Sequence, residues 1–168
     1  MLGRLATVAL LGLLMGTALS AQSAAPAAAA DTAAPNPKQI REYQKLQADA
    51  AKQTGSKQAE TLAKLAELEY SFAATSFAAG QSTPGQHHLD LAAHWADRAM
   101  VFLRSEAAAG KTNGMQKVEM SFQKIGFGLS GLAAQVRLRE RPRVQAEDKH
   151  FAQLRTQLLD FMFAPKKK

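Results

Sequence analysis

Glu69 is the most unusual placement in the chain. Leu62, Leu65, Ala66, Phe72, Ala73 and Phe77 recur at helical spacing, and the carboxylate falls in the middle of that apolar face. A buried charge persists only when it is paired and hydrogen-bonded. Glu69 is therefore expected at the edge of a bundle or against a basic or His side chain, with a ligand or catalytic role as the alternative. Two other sets offer nitrogen and oxygen donors. His87, Asp90 and His94 follow one helical edge, a spacing that suits weak binding of a divalent ion. Glu147 and His150 make one Glu-x-x-His, to which Glu69 would add a further ligand.

Each donor set stops short of a site. A carboxylate-bridged di-iron bundle needs the Glu-x-x-His twice, and the chain has it once; His94 follows Asp90 by four positions, not three. Haem without Cys would use His150 with a Met, as in periplasmic four-helix b-type cytochromes, and nothing selects among the six Met residues. Metal or haem binding is kept as the alternative reading, and no cofactor is expected. Gly126-Phe127-Gly128-Leu129-Ser130-Gly131 is a literal GxGxxG, but no strand precedes it and no βαβ unit surrounds it. Inside a helix each glycine costs about 1 kcal/mol relative to Ala. Gly126 and Gly131 are expected to let a neighbouring helix approach closely, or else to kink their own. There is no Ser-centred elbow, no fitting carboxylate pair and no phosphate loop. The expectation is a protein that is not an enzyme, with a site assembled from distant helices as the remaining enzymatic reading.

Positive charge is the third chemical feature. Residues 137–168 hold nine basic and four acidic side chains, so most of the +7 net charge sits there. Arg137, Arg139, Arg141 and Arg143 alternate around one turn, and Lys166, Lys167 and Lys168 form a cationic end. Such a patch attracts anionic lipid headgroups, envelope polysaccharide or acidic proteins, and otherwise serves solubility. Nucleic acid is a poor partner, because aromatic stacking platforms are not evident and the chain reads as exported.

The elements that position these residues read as helices. Asn36-Pro37 is a helix start, followed by a narrow apolar edge of Ile40, Tyr43 and Leu46 that ends at Gly55. Ser56 restarts the chain on the Glu69 helix, which runs to Gly80. Thr83-Pro84-Gly85-Gln86 has the capping-box arrangement, and Leu91, Ala92, Trp95, Ala99, Phe102 and Leu103 then face inward until Gly110. His87, Asp90, His94, Asp97 and Arg98 share the solvated side, while His88 turns toward the apolar arc. Asn113 is expected to cap the next helix. Met115, Val118, Phe122, Ile125, Leu129, Leu132 and Val136 form its first apolar stripe; Met120, Phe127, Gly131, Ala134 and Leu138 form a second on the opposite side. Two apolar faces predict a central helix with partners on both sides, and a homodimer if one bundle cannot cover both. After Arg141-Pro142 a last helix carries Val144, Phe151, Leu154, Leu158, Phe161 and Met162.

Helix starts near Ser56 and Asn113 and breaks near Pro84 and Pro142 make the layout occur twice. The fold expected is all-α: an antiparallel four- to five-helix bundle of two long helical hairpins plus a short N-terminal helix. The hairpin from Leu62 to Leu103 is faintly similar to a tetratricopeptide unit in its Ala92, Ala96 and Ala99 packing. Its helices are longer than that unit's, no repeat of that length is present, and the Trp-Leu-Gly-Tyr pattern is missing, so no family follows.

The first twenty-one residues (1–21) read as a signal peptide. Arg4 is the positive start, Leu5 to Leu19 the apolar run, and small residues up to Ala21 the cleavage region; a retained signal anchor is the alternative. Residues 22–35 are an Ala/Pro-rich spacer, 36–164 the helical domain and 165–168 a basic tail. With no Cys, stability must come from packing, and thiol, c-type haem and Cys-zinc chemistry are absent. The protein is thus expected to be periplasmic or secreted, a non-catalytic binding or scaffold module of the cell envelope. Its expected partner is an anionic envelope component or an acidic protein.

Overall fold

Asn36 accepts a hydrogen bond from the Lys38 amide at 3.0 Å and Pro37 occupies the first turn, so the first helix starts where its capping chemistry dictates. A computed structural model describes residues 36–164. The signal-peptide, spacer and basic-tail segments, Lys166, Lys167 and Lys168 included, lie outside the described residues. Five helices follow: α1 Pro37–Lys52, α2 Gly55–Ala78, α3 Ser82–Ala108, α4 Met115–Gln135 and α5 Arg141–Phe163, with no strand among the described residues. The protein is all-α, two long hairpins preceded by a shorter helix.

α2 and α3 form the tightest pair, because their facing positions are small. Ala59, Ala63, Ala66 and Ala73 of α2 and Ala92, Ala96 and Ala99 of α3 are fully buried. Gly80 ends α2 in the left-handed region at φ 74°, with the Gln81 amide bonded back to the Ser76 carbonyl, which closes the helix and reverses the chain. Leu62, Leu65, Leu89, Leu103, Met115, Phe122, Ile125, Leu129, Phe151 and Leu158 fill the shared core. Each such buried side chain contributes about 1.5–3 kcal/mol of transfer free energy.

The two hairpins lie side by side and point the same way. Lys117 meets Glu60 at 2.9 Å and Lys124 meets Glu67 at 3.7 Å, a constant offset that makes α4 parallel to α2. Arg143 pairs with Asp90, and His150 with Asp97 at 3.0 Å, so α5 is parallel to α3. Around the square the order is α2, α3, α5, α4; α3 barely touches α4 across one diagonal. α1 runs antiparallel along α2, with Ala50 beside Gln58 and Tyr43 beside Phe72, and meets no other helix backbone.

Several expectations are corrected. The central helix is α2, which packs on α1, α3 and α4, whereas α4 is covered on one face only. The first α4 stripe is buried throughout, but Met120, Phe127 and Leu138 are 49, 72 and 76% exposed. They lie opposite the core stripe, where a four-helix square has nothing to offer, and Leu138 falls beyond the helix end. α1 ends at Lys52, and Gly55 opens α2 instead of closing α1. Ile40 is 41% exposed while Tyr43 and Leu46 pack on the core. α3 begins at Ser82, ahead of the Thr83 cap, and α4 is preceded by Gly114 at φ 79°, so neither Thr83 nor Asn113 caps a helix. The close approach expected at Gly126 and Gly131 occurs instead at Gly128. A Cβ there would run into the Tyr70 ring, whereas one at Gly131 would meet nothing within 4 Å. α4 stays a continuous helix through all three glycines.

Candidate functional site

Three constellations of polar side chains emerge from this packing. The first is buried. Glu69, 2% exposed, reaches across the α2–α3 seam to His88, whose Nδ1 stands 2.6 Å from Oε2. From α1 the Tyr43 hydroxyl lies against the same carboxylate, and its pKa is pushed up to about 12, first by burial and then by Glu69. Gln47 and the Trp95 ring N–H offset part of that rise, though Trp95 Nε1 reaches no acceptor at full hydrogen-bond geometry. Phe72 closes the cluster, its ring centre 5.4 Å from His88 and 6.3 Å from Tyr43. The carboxylate thus holds three helices together in an aromatic box. His88 was legible as the residue turned inward; Tyr43 and Trp95 were not, since nothing in their own spacing marks them as polar partners.

The second constellation ties α3 to α5. Arg143 bridges Asp90 and Glu147, the latter at 3.1 Å, and His150 receives Asp97. Burial pushes the Glu147 carboxyl above its ordinary value, against the pull of Arg143 and His150. The expected solvated edge of α3 is exposed, but Asp90 and Asp97 on it face α5. His87 and His94 are exposed beside them, His94 edge-on to Trp95 at 5.1 Å. A sequence signal for this did exist: an acidic pair two turns apart on one helix and a basic pair two turns apart on another. Glu60 and Glu67 against Lys117 and Lys124 repeat the same pattern on α2 and α4.

These pairings separate the candidate metal ligands. Glu69 is engaged by His88, Glu147 by Arg143 and His150 by Asp97, so Glu69 does not join the Glu-x-x-His. Among the described residues no group of three or more His, Asp or Glu side chains is placed to hold a metal ion.

The third constellation is the α4–α5 corner, where the arginines divide. Arg141 donates from Nε to the Ala133 carbonyl at 3.0 Å and so satisfies the end of α4, while Arg143 is consumed by its two carboxylates. Glu140 is buried there, and the Ser82 hydroxyl, followed by Arg139, holds its carboxyl below the usual range. Arg137 and Arg139 project outward, Arg139 still within 3.4 Å of Glu140. The four-arginine patch is therefore narrower than its sequence suggests: two of the four are internal ties.

No protein family, curated protein or solved structure matches the chain.

Proposed function

We propose that the protein is an exported, non-catalytic binding or scaffold module of the cell envelope that docks an anionic partner through its basic C-terminal region. The observation that carries this reading is the division of charge between the hairpins. Gly55–Ala108 holds six acidic and four basic residues, whereas Met115–Phe163 holds eight basic and five acidic ones, with three more lysines beyond. That asymmetry creates a field of one sign over one half of the molecule. Arg137 and Arg139 are exposed at the corner, and the sequence places Lys166, Lys167 and Lys168 beyond α5. The apolar run Leu5–Leu19 behind Arg4 supports export, and no described helix is long and apolar enough to cross a membrane.

The test is retention of the mature chain on anionic vesicles or isolated envelope material. Retention should fall with added salt, and fall again on removal of Lys166–Lys168 or with Arg137→Gln and Arg139→Gln together. Binding that survives high salt, or is indifferent to all five cations, discards the electrostatic reading.

A further inference from the structure

α1 fills its seat on the first hairpin along only part of its length. Tyr43 and Leu46 pack on the core, but one turn later the chain offers Ala50 and Ala51, whose side chains are too short to reach across. A cleft of about 160 Å³ is left between those two alanines, Leu62 and Leu65 of α2, and Trp95 and Arg98 of α3. An apolar cavity of about 150 Å³ is enough to hold a benzene ring. The floor is apolar and built into the core, since Leu62 and Leu65 are 1 and 0% exposed. Gln58 joins the wall, but its amide is committed to the Ala50 carbonyl at 2.9 Å, which ties α1 to α2 at this level.

Charge gives the cleft a sign. Among the described residues Arg98 is the one charged side chain lining it, and its guanidinium carbon lies 5.4 Å from the centre of the Trp95 ring. That stacking holds the cation on the aromatic wall. Among the described residues Arg98 forms no ion pair; the neighbouring Asp97 is taken by His150, and Glu69 by His88. We infer that this cleft is a binding site for a small aromatic carboxylate, its ring on Leu62 and Leu65 against Trp95 and its carboxylate on the Arg98 guanidinium. The planar fork of an arginine held on an aromatic ring suits a carboxylate in geometry as well as in charge. The site lies apart from the basic C-terminal region, so it goes beyond the anionic-partner reading and does not depend on it. Because the ligand touches α1, α2 and α3 together, its binding also clamps α1 to the hairpin.

Trp95 is the only Trp in the chain, so its fluorescence reads the cleft directly. Benzoate titrated into the mature chain should change that fluorescence saturably, with a Kd of about 1 mM or lower. Benzamide, isosteric but uncharged, should bind about tenfold more weakly. Arg98→Gln, at an exposed position, should erase the difference between the two. Ala51→Leu, also exposed, fills the cleft and should abolish the response to both at unchanged thermal stability. In hydrogen exchange, benzoate at about ten times its Kd should slow the α1 amides about tenfold and leave those of α4 and α5 as they were. No saturable response at about 10 mM benzoate, equal affinity for benzamide, or a preference that survives Arg98→Gln overturns the proposal. So does quenching undiminished in Ala51→Leu, which marks collision with an exposed ring, or α1 exchange that is unchanged or faster with benzoate bound.

Discussion

Gly126, Gly128 and Gly131 share one helix and one residue type, yet the packing around them demands opposite responses to the same substitution. Replacing a helical glycine by Ala removes backbone freedom from the unfolded chain and gains about 0.5–1 kcal/mol when space allows. Gly131 has nothing within 4 Å of its missing Cβ, and Gly126 has only a carboxylate oxygen at 4.0 Å. Both should give that gain, about 2–4 °C in Tm for a domain of this size. At Gly128 the new methyl collides with the oxygen, Cζ and Cε1 of Tyr70, a half-buried ring with two torsions to adjust. Overpacking of that kind costs about 1–3 kcal/mol, so the net effect of Gly128→Ala runs from near zero to a loss of about 2 kcal/mol. Thermal and urea unfolding of the three variants, followed by circular dichroism, reads the difference. Repeating Gly128→Ala in a Tyr70→Ala background isolates the collision, and there the substitution should become stabilising. If Gly128→Ala raises Tm as much as Gly131→Ala does, the account of α2 resting against α4 at Tyr70 is wrong.

Glu69→Ala leaves His88 and Tyr43 facing an emptied aromatic box and should cost on the order of 3 kcal/mol in urea unfolding. A Glu69→Leu chain more stable than the parent would show that the carboxylate is kept for something other than holding α1. The Tyr43 pKa of about 12 lies above its ordinary value of 10.0, so the folded state favours the neutral phenol. That contribution is whole below pH 10 and lost as pH rises toward 12, and Tyr43→Phe should flatten stability across this window; an unchanged alkaline profile would contradict it. Glu147, raised by burial, carries the same sign at lower pH: its penalty is absent when the carboxyl is protonated in both states and present when both are charged. Glu147→Gln should therefore gain stability at pH 7 and gain nothing at strongly acidic pH, and the reverse pattern in pH-dependent urea melts would refute the assignment.

Helix identity was legible because each apolar stripe repeats at helical spacing, and Asn36-Pro37 carried its cap in plain view. The pairing of Glu69 was legible in kind, since a carboxylate among Leu65 and Phe72 has few other ways to persist, and His88 was already turned its way. What periodicity does not carry is the identity of the neighbour. Met120, Phe127 and Leu138 recur as regularly as Phe122 and Leu129, but a stripe records which side chains align and not whether anything covers them. The same limit explains the glycines. Collision at Gly128 is set by Tyr70 on another helix, and space at Gly126 and Gly131 by the lack of such a neighbour, which no local pattern around residue 128 reveals. The arginine corner misled for a related reason: Arg141 and Arg143 look like surface charge until the α4 carbonyls and Asp90 are brought beside them.

The attachment of α1 has a kinetic consequence. Its backbone packs on α2 alone, it buries only Ala50 outright, and two residues join it to α2. Its amides should exchange with deuterated water well ahead of those in α2 and α3, through a sub-global opening that leaves the square of helices standing. Each such opening bares one side of the Glu69 carboxylate to solvent. The interior acid is thus visited by water on the timescale of a peeling strap, and not only when the whole protein melts.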